Sequence, residues 1–174
     1  DRDVTGVQTC ALPICDQACL LARMQGEAQA GLPRLKAAAA LTLAGLCLST
    51  PRNTVLGLKF LAAEIERQIL PDGGHVSRSP EALAEAFRVL CMVRQTLGHA
   101  HRAVPPFLQG ALERMAPMLR FFRMGDGALA VFNGGGETDA RLIAALLEQD
   151  GTQTRPVAHT PQSGYQRLSS GRTA

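Results

Sequence analysis

Apolar residues recur at spacings of three and four along most of the chain, and this period predicts amphipathic helices. The clearest case starts at Pro51, preceded by the cap residue Thr50. Its inward face consists of Leu58, Leu61, Ala62, Ile65 and Ile69. The polar residues between them are expected to face water: Glu64, Glu66, Arg67 and Gln68.

Four further segments carry a helical pattern. They are Asp16–Gln29, Arg34–Leu48, Pro80–Leu97 and a segment from Pro105 to about Phe122. A last helix is predicted from about Thr138 to Gln149. Breaks are expected at Gly31–Pro33 and Gly98, and a kink at Pro117. The run Ala128–Phe132 is a candidate strand, residues 152–162 a linker, and Ser163–Thr173 the start of a β-hairpin.

Composition supports a helical core. The chain has 174 residues, of which 46% are hydrophobic but only 4% aromatic, with no tryptophan. Such a core must consist mainly of Leu and Ala, which favour helices over sheets. The net charge is +3 and the arginines are scattered, so nucleic acid is not an expected partner. The longest apolar run, Ala37–Leu48, is too short to cross a bilayer.

The first residues are expected to be foreign to the protein. Val4 to Ile14 reads VTGVQTCALPI, which resembles the translation of a common sequencing-adapter oligonucleotide. Residues 1–15 are therefore left out of the fold prediction. Of the remaining cysteines, Cys19, Cys47 and Cys91 lie in apolar helical contexts without C-x-x-C spacing, and are predicted to be buried and unpaired.

Two loops concentrate the polar and glycine residues. The first is Gln68–Pro80, QILPDGGHVSRSP, and the second is Met124–Glu137. Because the two loops follow the helices that begin at Pro51 and Pro105, which alternate with others in a series of antiparallel hairpins, we expect both loops on one rim, lining a cleft. The predicted architecture is therefore mainly α, a partial α/α toroid of stacked helical hairpins.

Three motifs carry a family resemblance: QILPDGGHVSRSP, RMAPMLRFFRMGDGALAVFNGGGE and SGYQRL. They resemble bacterial heparinase II/III family proteins, from about Gly31 to the last residue. The resemblance implies an α/α toroid (16–150), a linker (151–162) and the first strand of a C-terminal β-sandwich (163–174), cut at both ends. It also implies a periplasmic or envelope polysaccharide lyase, which cleaves uronate polymers such as heparan sulfate or alginate by β-elimination.

The sequence departs from that family at two catalytic motifs. Leu32 and Pro33 stand where the lyases often have Asn-His, and Ala82 and Leu83 where they often have Tyr-His. Neither replacement can bind a carboxylate. This leaves three hypotheses: a lyase that uses other residues, a non-catalytic toroid that binds acidic glycans, or a helical scaffold that binds a partner through an apolar helix face.

Candidate site residues lie in both loops and at the single tyrosine. His75 follows two glycines and is expected to be exposed, as an acid, base or carboxylate partner, or else as a residue that orders the turn. Tyr165 is the only phenolic acid or base, unless it marks a strand. Arg78 is a candidate for binding a carboxylate or sulfate, or is simply solvated. Asn133 and Glu137 flank three glycines that permit close approach of a ligand, or form a flexible connector.

Cofactor chemistry is not indicated. The glycine loop lacks G-K-[ST] and a preceding long strand, so it does not read as a nucleotide site. His99 and His101 have no third ligand nearby, and no metal site is expected. Arg120 and Arg123 lie at a helix end, where cations suit the helix dipole. Asp72 is expected to form an Asx-type turn.

Overall fold

The computed structural model describes residues 5–150 and 157–168, and their architecture is mainly α, as predicted. The helices are α1 (Thr5–Met24), α2 (Leu32–Cys47), α3 (Pro51–Gln68), α4 (Pro80–His99), α5 (Pro106–Phe122) and α6 (Ala140–Asp150). A short 3₁₀ helix covers Gln25–Glu27. Strands β1 (His159–Thr160) and β2 (Tyr165–Gln166) pair antiparallel, with Thr160 opposite Tyr165. The described residues show neither a closed toroid nor a sandwich.

Contacts divide the chain into two compact units, residues 1–61 and 62–174, with the boundary inside α3. In the first unit, α1 packs against α2. Gly45 and Gly57 let α2 approach the first half of α3, because an added Cβ at Gly45 would overlap Thr54 and one at Gly57 would overlap Thr42. A small-residue seam of this kind permits close helix packing.

The second unit is built around α4 and α5, with α6 packed against both. The apolar stripes predicted for these helices form its core. Fully buried side chains include Leu83, Phe87, Leu90, Leu97, Leu108, Leu112, Met115 and Leu119. Ser79 caps α4 by accepting a hydrogen bond from the Ala82 N–H at 3.3 Å, and α5 continues through Pro117. Both loops of the second unit are therefore anchored on a packed helical pair.

Several predicted boundaries were wrong. Gly31 caps α2 with φ +91°, but Leu32 and Pro33 lie in its first turn, because proline suits that position. Helix α4 runs through Gly98 to His99 and ends at Ala100, since a glycine in a helix interior costs stability without breaking it. Cys19 and Cys47 are exposed, whereas Cys91 is buried.

The predicted β segments also differ. Residues 128–132 form no strand; only an isolated antiparallel bridge joins Arg123 and Leu129. The hairpin starts at His159, inside the predicted linker. The part of that linker before residue 157 lies outside the described residues, and so does the part of the predicted hairpin beyond residue 168. Among the described residues, no helix combines the length and apolar character needed to cross a bilayer.

Candidate functional site

The loop between α3 and α4 (residues 69–79) is a compact turn held by its own backbone. Leu70 donates from its N–H to the Gly74 carbonyl at 2.8 Å, and Val76 donates to the Gln68 carbonyl at 2.8 Å. Gly73 adopts φ +85°, and a Cβ there would overlap the backbone of Arg114 on α5. Asp72 forms the predicted Asx turn by accepting from the Gly74 N–H at 3.1 Å. The turn is thus fixed against the core.

His75 is buried, not exposed, so that prediction was wrong; only 5% of the residue is accessible. Its Nδ1 accepts from the Ser77 N–H at 3.2 Å and from the Ser77 hydroxyl at 2.7 Å. The ring proton is therefore on Nε2, which donates to Gln68 Oε1 at 3.3 Å. Burial lowers the pKa of His75, because desolvation disfavours the charged imidazolium.

The polar chain continues into α3. The Gln68 amide donates to Glu64 Oε2 at 2.7 Å, and Arg67 Nη1 lies 2.5 Å from Glu64 Oε1. Glu64 and Gln68 are each only 3% accessible, so their assignment to the solvent face was wrong. They are buried because each finds a polar partner inside, which offsets the cost of desolvation. The chain Glu64–Gln68–His75–Ser77 ties the loop to α3.

Three predicted site residues meet at one carbonyl. Asn133 donates from Nδ2 to the Arg78 carbonyl at 2.9 Å and to the Tyr165 hydroxyl at 2.7 Å. The Tyr165 hydroxyl donates in turn to the Arg78 carbonyl at 3.2 Å. Arg78 and Asn133 have φ +58° and +52°, an uncommon conformation for residues other than glycine. We call this group the tyrosine latch; it joins the two glycine-containing loops to the β1–β2 hairpin.

An aromatic cluster packs against the ring of Tyr165 in the tyrosine latch. The Tyr165 ring lies 5.4 Å from Phe122 and 5.3 Å from Phe132, and Phe122 lies 5.6 Å from Phe132, between ring centroids. The Phe122 contacts are edge-on, the geometry that aromatic quadrupoles favour. Tyr165 therefore lies in a strand and packs in an aromatic cluster, while its hydroxyl is hydrogen-bonded to Asn133 and to the Arg78 carbonyl.

Two further contacts join the same loops, and sequence reasoning missed both. Asp72 accepts from the Ser163 N–H at 2.6 Å and from the Ser163 hydroxyl at 2.9 Å. Glu81, in the first turn of α4, accepts from the Gly136 N–H at 2.8 Å. Asp72 and Ser163 are 91 positions apart. No local pattern links residues so distant, although an aspartate in a turn and a serine before a glycine are each a weak signal.

The remaining predicted residues stay at the surface. Glu137 and the Arg78 side chain are exposed, and His75 reaches the tyrosine latch only through the loop backbone, where its carbonyl accepts from the Arg78 N–H at 2.8 Å. Within the described part of the chain, no group of three His, Cys, Asp or Glu side chains is placed to hold a metal. Among the described residues, these contacts form a polar junction that fixes loops.

The fold and this junction define a helical protein whose loops are locked together by polar and aromatic contacts. The chain is 37% identical over 140 residues to FtsZ-localized protein C of Caulobacter vibrioides (strain NA1000 / CB15N). The match covers 79% of this chain but 24% of that protein, so the chain spans about a quarter of the length of this relative. No family model and no solved structure matches.

This match overturns the heparinase II/III resemblance and what it implied. The relative is named for its location with FtsZ and not for action on a polysaccharide. The polysaccharide-lyase activity, the acidic-polysaccharide partner in either its catalytic or its binding form, and the periplasmic or envelope location were therefore wrong. Short motifs rich in glycine, proline and arginine misled the comparison, because they also serve to build turns and caps in any helical protein.

Proposed function

We propose that this chain is a helical segment of a protein that takes part in cell division and locates with FtsZ. The observation that carries the proposal is the 37% identity over 140 residues to FtsZ-localized protein C. Identity of this extent along most of the chain supports a common function more strongly than a few short motifs. On this proposal the protein works in the cytoplasm, at the division site.

The proposed mode of action is protein binding, and the described contacts favour it over catalysis. The Asn133 amide donates to the Tyr165 hydroxyl, and that hydroxyl donates to the backbone carbonyl of Arg78. His75 is buried, and both of its ring nitrogens make hydrogen bonds. Catalytic groups need free access to a substrate. Groups engaged in this way instead hold loops in one conformation, as an interaction surface requires.

The tyrosine latch then has a positioning role. It fixes the loop 133–137, including the exposed Glu137 and the exposed side chain of Arg78, so that these groups are presented in a constant arrangement. We propose that Arg78, Asn133 and Glu137 belong to a partner-facing surface.

The proposal also covers the architecture of the full-length protein, namely its helical hairpins and a β domain. Consecutive helices α4 and α5 pack together, as the stacked hairpins of an α/α toroid would. We propose that residues 163–174, which contain β2, are the start of a further β domain. Residues 1–15 are proposed to be foreign, as their sequence indicates. A structure of the full-length protein would test these assignments.

Localisation is the direct test of the function. The full-length protein, fused to a fluorescent protein and expressed at native level in its host, is expected to form a midcell band that coincides with labelled FtsZ. Depletion of FtsZ is expected to disperse the band. A uniform signal, or a band that persists after FtsZ is depleted, would contradict the proposal.

A matched variant separates location from folding. Replacing Glu137 with Gln removes one exposed charge beside the tyrosine latch without touching its hydrogen bonds, whereas Glu148→Gln removes an exposed charge on α6. If residues 133–137 face the partner, Glu137→Gln reduces the midcell fraction and Glu148→Gln does not. Equal fractions for both variants would assign the partner surface elsewhere.

A further inference from the structure

An open cleft at the carboxyl end of α5 is lined by arginines. The lining residues are Arg120, Arg123, Met124, Gly125, Asp126, Gly127 and Arg167. Three arginines and one aspartate are thus among the residues that line this site. Asp126 is turned to its own loop, where its Oδ1 accepts from the Ala128 N–H at 2.9 Å. Three arginines against one aspartate give the cleft a net positive charge, which attracts anions.

Structural roles use only part of the guanidinium groups of Arg123 and Arg167. Arg167 donates from Nη1 to the carbonyls of Arg120 and Phe121, at 3.0 and 2.5 Å, and so closes the end of α5. Arg123 donates from Nε to the Gly127 carbonyl at 3.1 Å. Within residues 5–150 and 157–168, the Nε and Nη2 donors of Arg167 and both Nη donors of Arg123 have no hydrogen-bond partner.

These bonds also hold the guanidinium groups in place. An added Cβ at Gly127 would lie 3.2 Å from Nη2 of Arg123, so this side chain rests on the glycine backbone. Arg167 is fixed by two carbonyls of α5. Preorganised guanidinium groups lose little side-chain entropy when they bind a carboxylate, and their planar forks match it with two parallel hydrogen bonds.

We propose that this cleft, the arginine cleft, binds carboxylate side chains of an acidic peptide segment on a protein partner. A peptide fits better than a nucleic acid because the positive charge is confined to one cleft and does not form a stripe. Met124, 39% accessible, adds an apolar contact beside the charges, which suits a segment of mixed acidic and apolar residues. The inference rests on the proposed function for the partner's cellular context.

Binding of a defined probe tests the site. The probe is a fluorescein-labelled peptide of glutamates and leucines, and its control replaces every glutamate with glutamine. Anisotropy with the full-length protein is expected to show binding of the glutamate peptide that weakens as salt is raised, because the contacts are charged. Equal binding of the glutamine peptide, or no binding of the glutamate peptide, would overturn the proposal.

Charge-matched variants locate the binding. Arg120→Gln combined with Arg123→Gln is expected to raise the Kd at least about tenfold, since it removes two positive charges from the cleft and, with Arg123, donors for charge-assisted hydrogen bonds. Arg102→Gln combined with Arg141→Gln removes the same charge from two exposed positions outside the cleft, and is expected to change the Kd by less than about twofold. A folded cleft variant with unchanged Kd, or an equal loss in the control, would overturn the assignment.

Two additions complete the design. Should the double variant fail to fold, Arg123→Lys keeps the charge but loses the planar fork, and a Kd raised several-fold is expected; an unchanged Kd would count against the proposal. Inorganic phosphate is the competitor. Displacement of the peptide by phosphate at equal concentration would assign the cleft to small anions and overturn the peptide proposal.

Failure of this inference and failure of the proposed function are distinguishable. If the full-length protein and the Arg120, Arg123 double variant both form FtsZ-dependent midcell bands, the function stands without the arginine cleft. If the wild type forms no such band yet binds the glutamate peptide with the expected variant pattern, the cleft stands and the division role falls.

Discussion

At the scale of the residue, burial decides the chemistry of His75. Sequence position suggested an exposed catalytic group, since the residue follows two glycines in a loop. The structure instead closes both ring nitrogens into hydrogen bonds with Ser77 and Gln68. An isolated histidine in a sequence carries no signal for its burial, because burial depends on partners that the fold supplies.

His75 predicts an acid-sensitive stability. Burial lowers its pKa, so near and below the ordinary value of about 6.5 the unfolded chain holds a proton that the folded chain does not. The stability is therefore full above that value and falls as the pH drops toward the folded pKa. Chemical denaturation between pH 8 and 5 is expected to show this loss, and to show less of it in His75→Gln. The exposed His101→Gln is the control, expected to keep the wild-type profile.

We predict that the backbone conformation and the close contact with α5 at position 73 require glycine. Its φ is +85°, and an alanine Cβ would overlap the Arg114 backbone, which cannot move without shifting α5. Gly73→Ala is expected to lower the free energy of unfolding by at least about 2 kcal/mol. Gly134, with φ +77° and open space around it, is the control and is expected to lose about 1 kcal/mol in Gly134→Ala. Equal losses would show that strain alone, not the contact with α5, requires glycine at Gly73.

At the scale of the element, helices were predictable and their junctions were not. The apolar period located α3, α4 and α5 to within a few residues, because apolar residues at this spacing are buried in each helix. The same rule failed for Glu64 and Gln68, which satisfy each other inside. The contacts that build the junction, such as Asp72 with Ser163, join distant segments and leave no periodic trace.

The Asp72–Ser163 pair predicts energetic coupling between the first loop and the β1–β2 turn. Two hydrogen bonds join them, at 2.6 and 2.9 Å. A double-mutant cycle with Asp72→Ala and Ser163→Ala is expected to give a coupling energy of about 1–2 kcal/mol in urea denaturation. In a second cycle Asp126→Ala replaces Asp72→Ala; among the described residues the hydrogen bond of Asp126 lies within its own turn, so zero coupling with Ser163 is expected. Zero coupling in the first cycle would show that the loops are held by other contacts.

At the scale of the whole molecule, the similarity to FtsZ-localized protein C permits a test by exchange of segments. This chain corresponds to about a quarter of FtsZ-localized protein C, so that protein offers a host for a transplant. Residues 16–168, which exclude the segment expected to be foreign, replace the matching stretch of the Caulobacter protein. We expect the chimera to retain its location with FtsZ, because the two sequences are 37% identical over 140 residues. A scrambled stretch of equal composition is the control, and a chimera as dispersed as that control would contradict the shared role.

The function predicted from the sequence, that of a polysaccharide lyase, was wrong. Short loop motifs suggested an enzyme, although the residues that such an enzyme would need at Ala82 and Leu83 were absent. Leu83 is a fully buried core residue of α4, and Ala82 caps nothing but donates its N–H to Ser79. Leu83 serves packing, which explains the apolar side chain at that position, whereas the backbone N–H that Ala82 donates does not depend on its side chain.

The tyrosine latch also gives the protein an optical reporter. Tyr165 is the only tyrosine and the chain has no tryptophan, so its ring is the only natural fluorophore that emits strongly when excited near 280 nm. That ring packs on Phe122 and Phe132 while its hydroxyl bonds Asn133. A change in emission therefore reports the opening of one defined junction, without any added dye. If a partner that contains no tyrosine or tryptophan binds at the neighbouring loops as proposed, its binding can be followed through this ring in the unmodified chain.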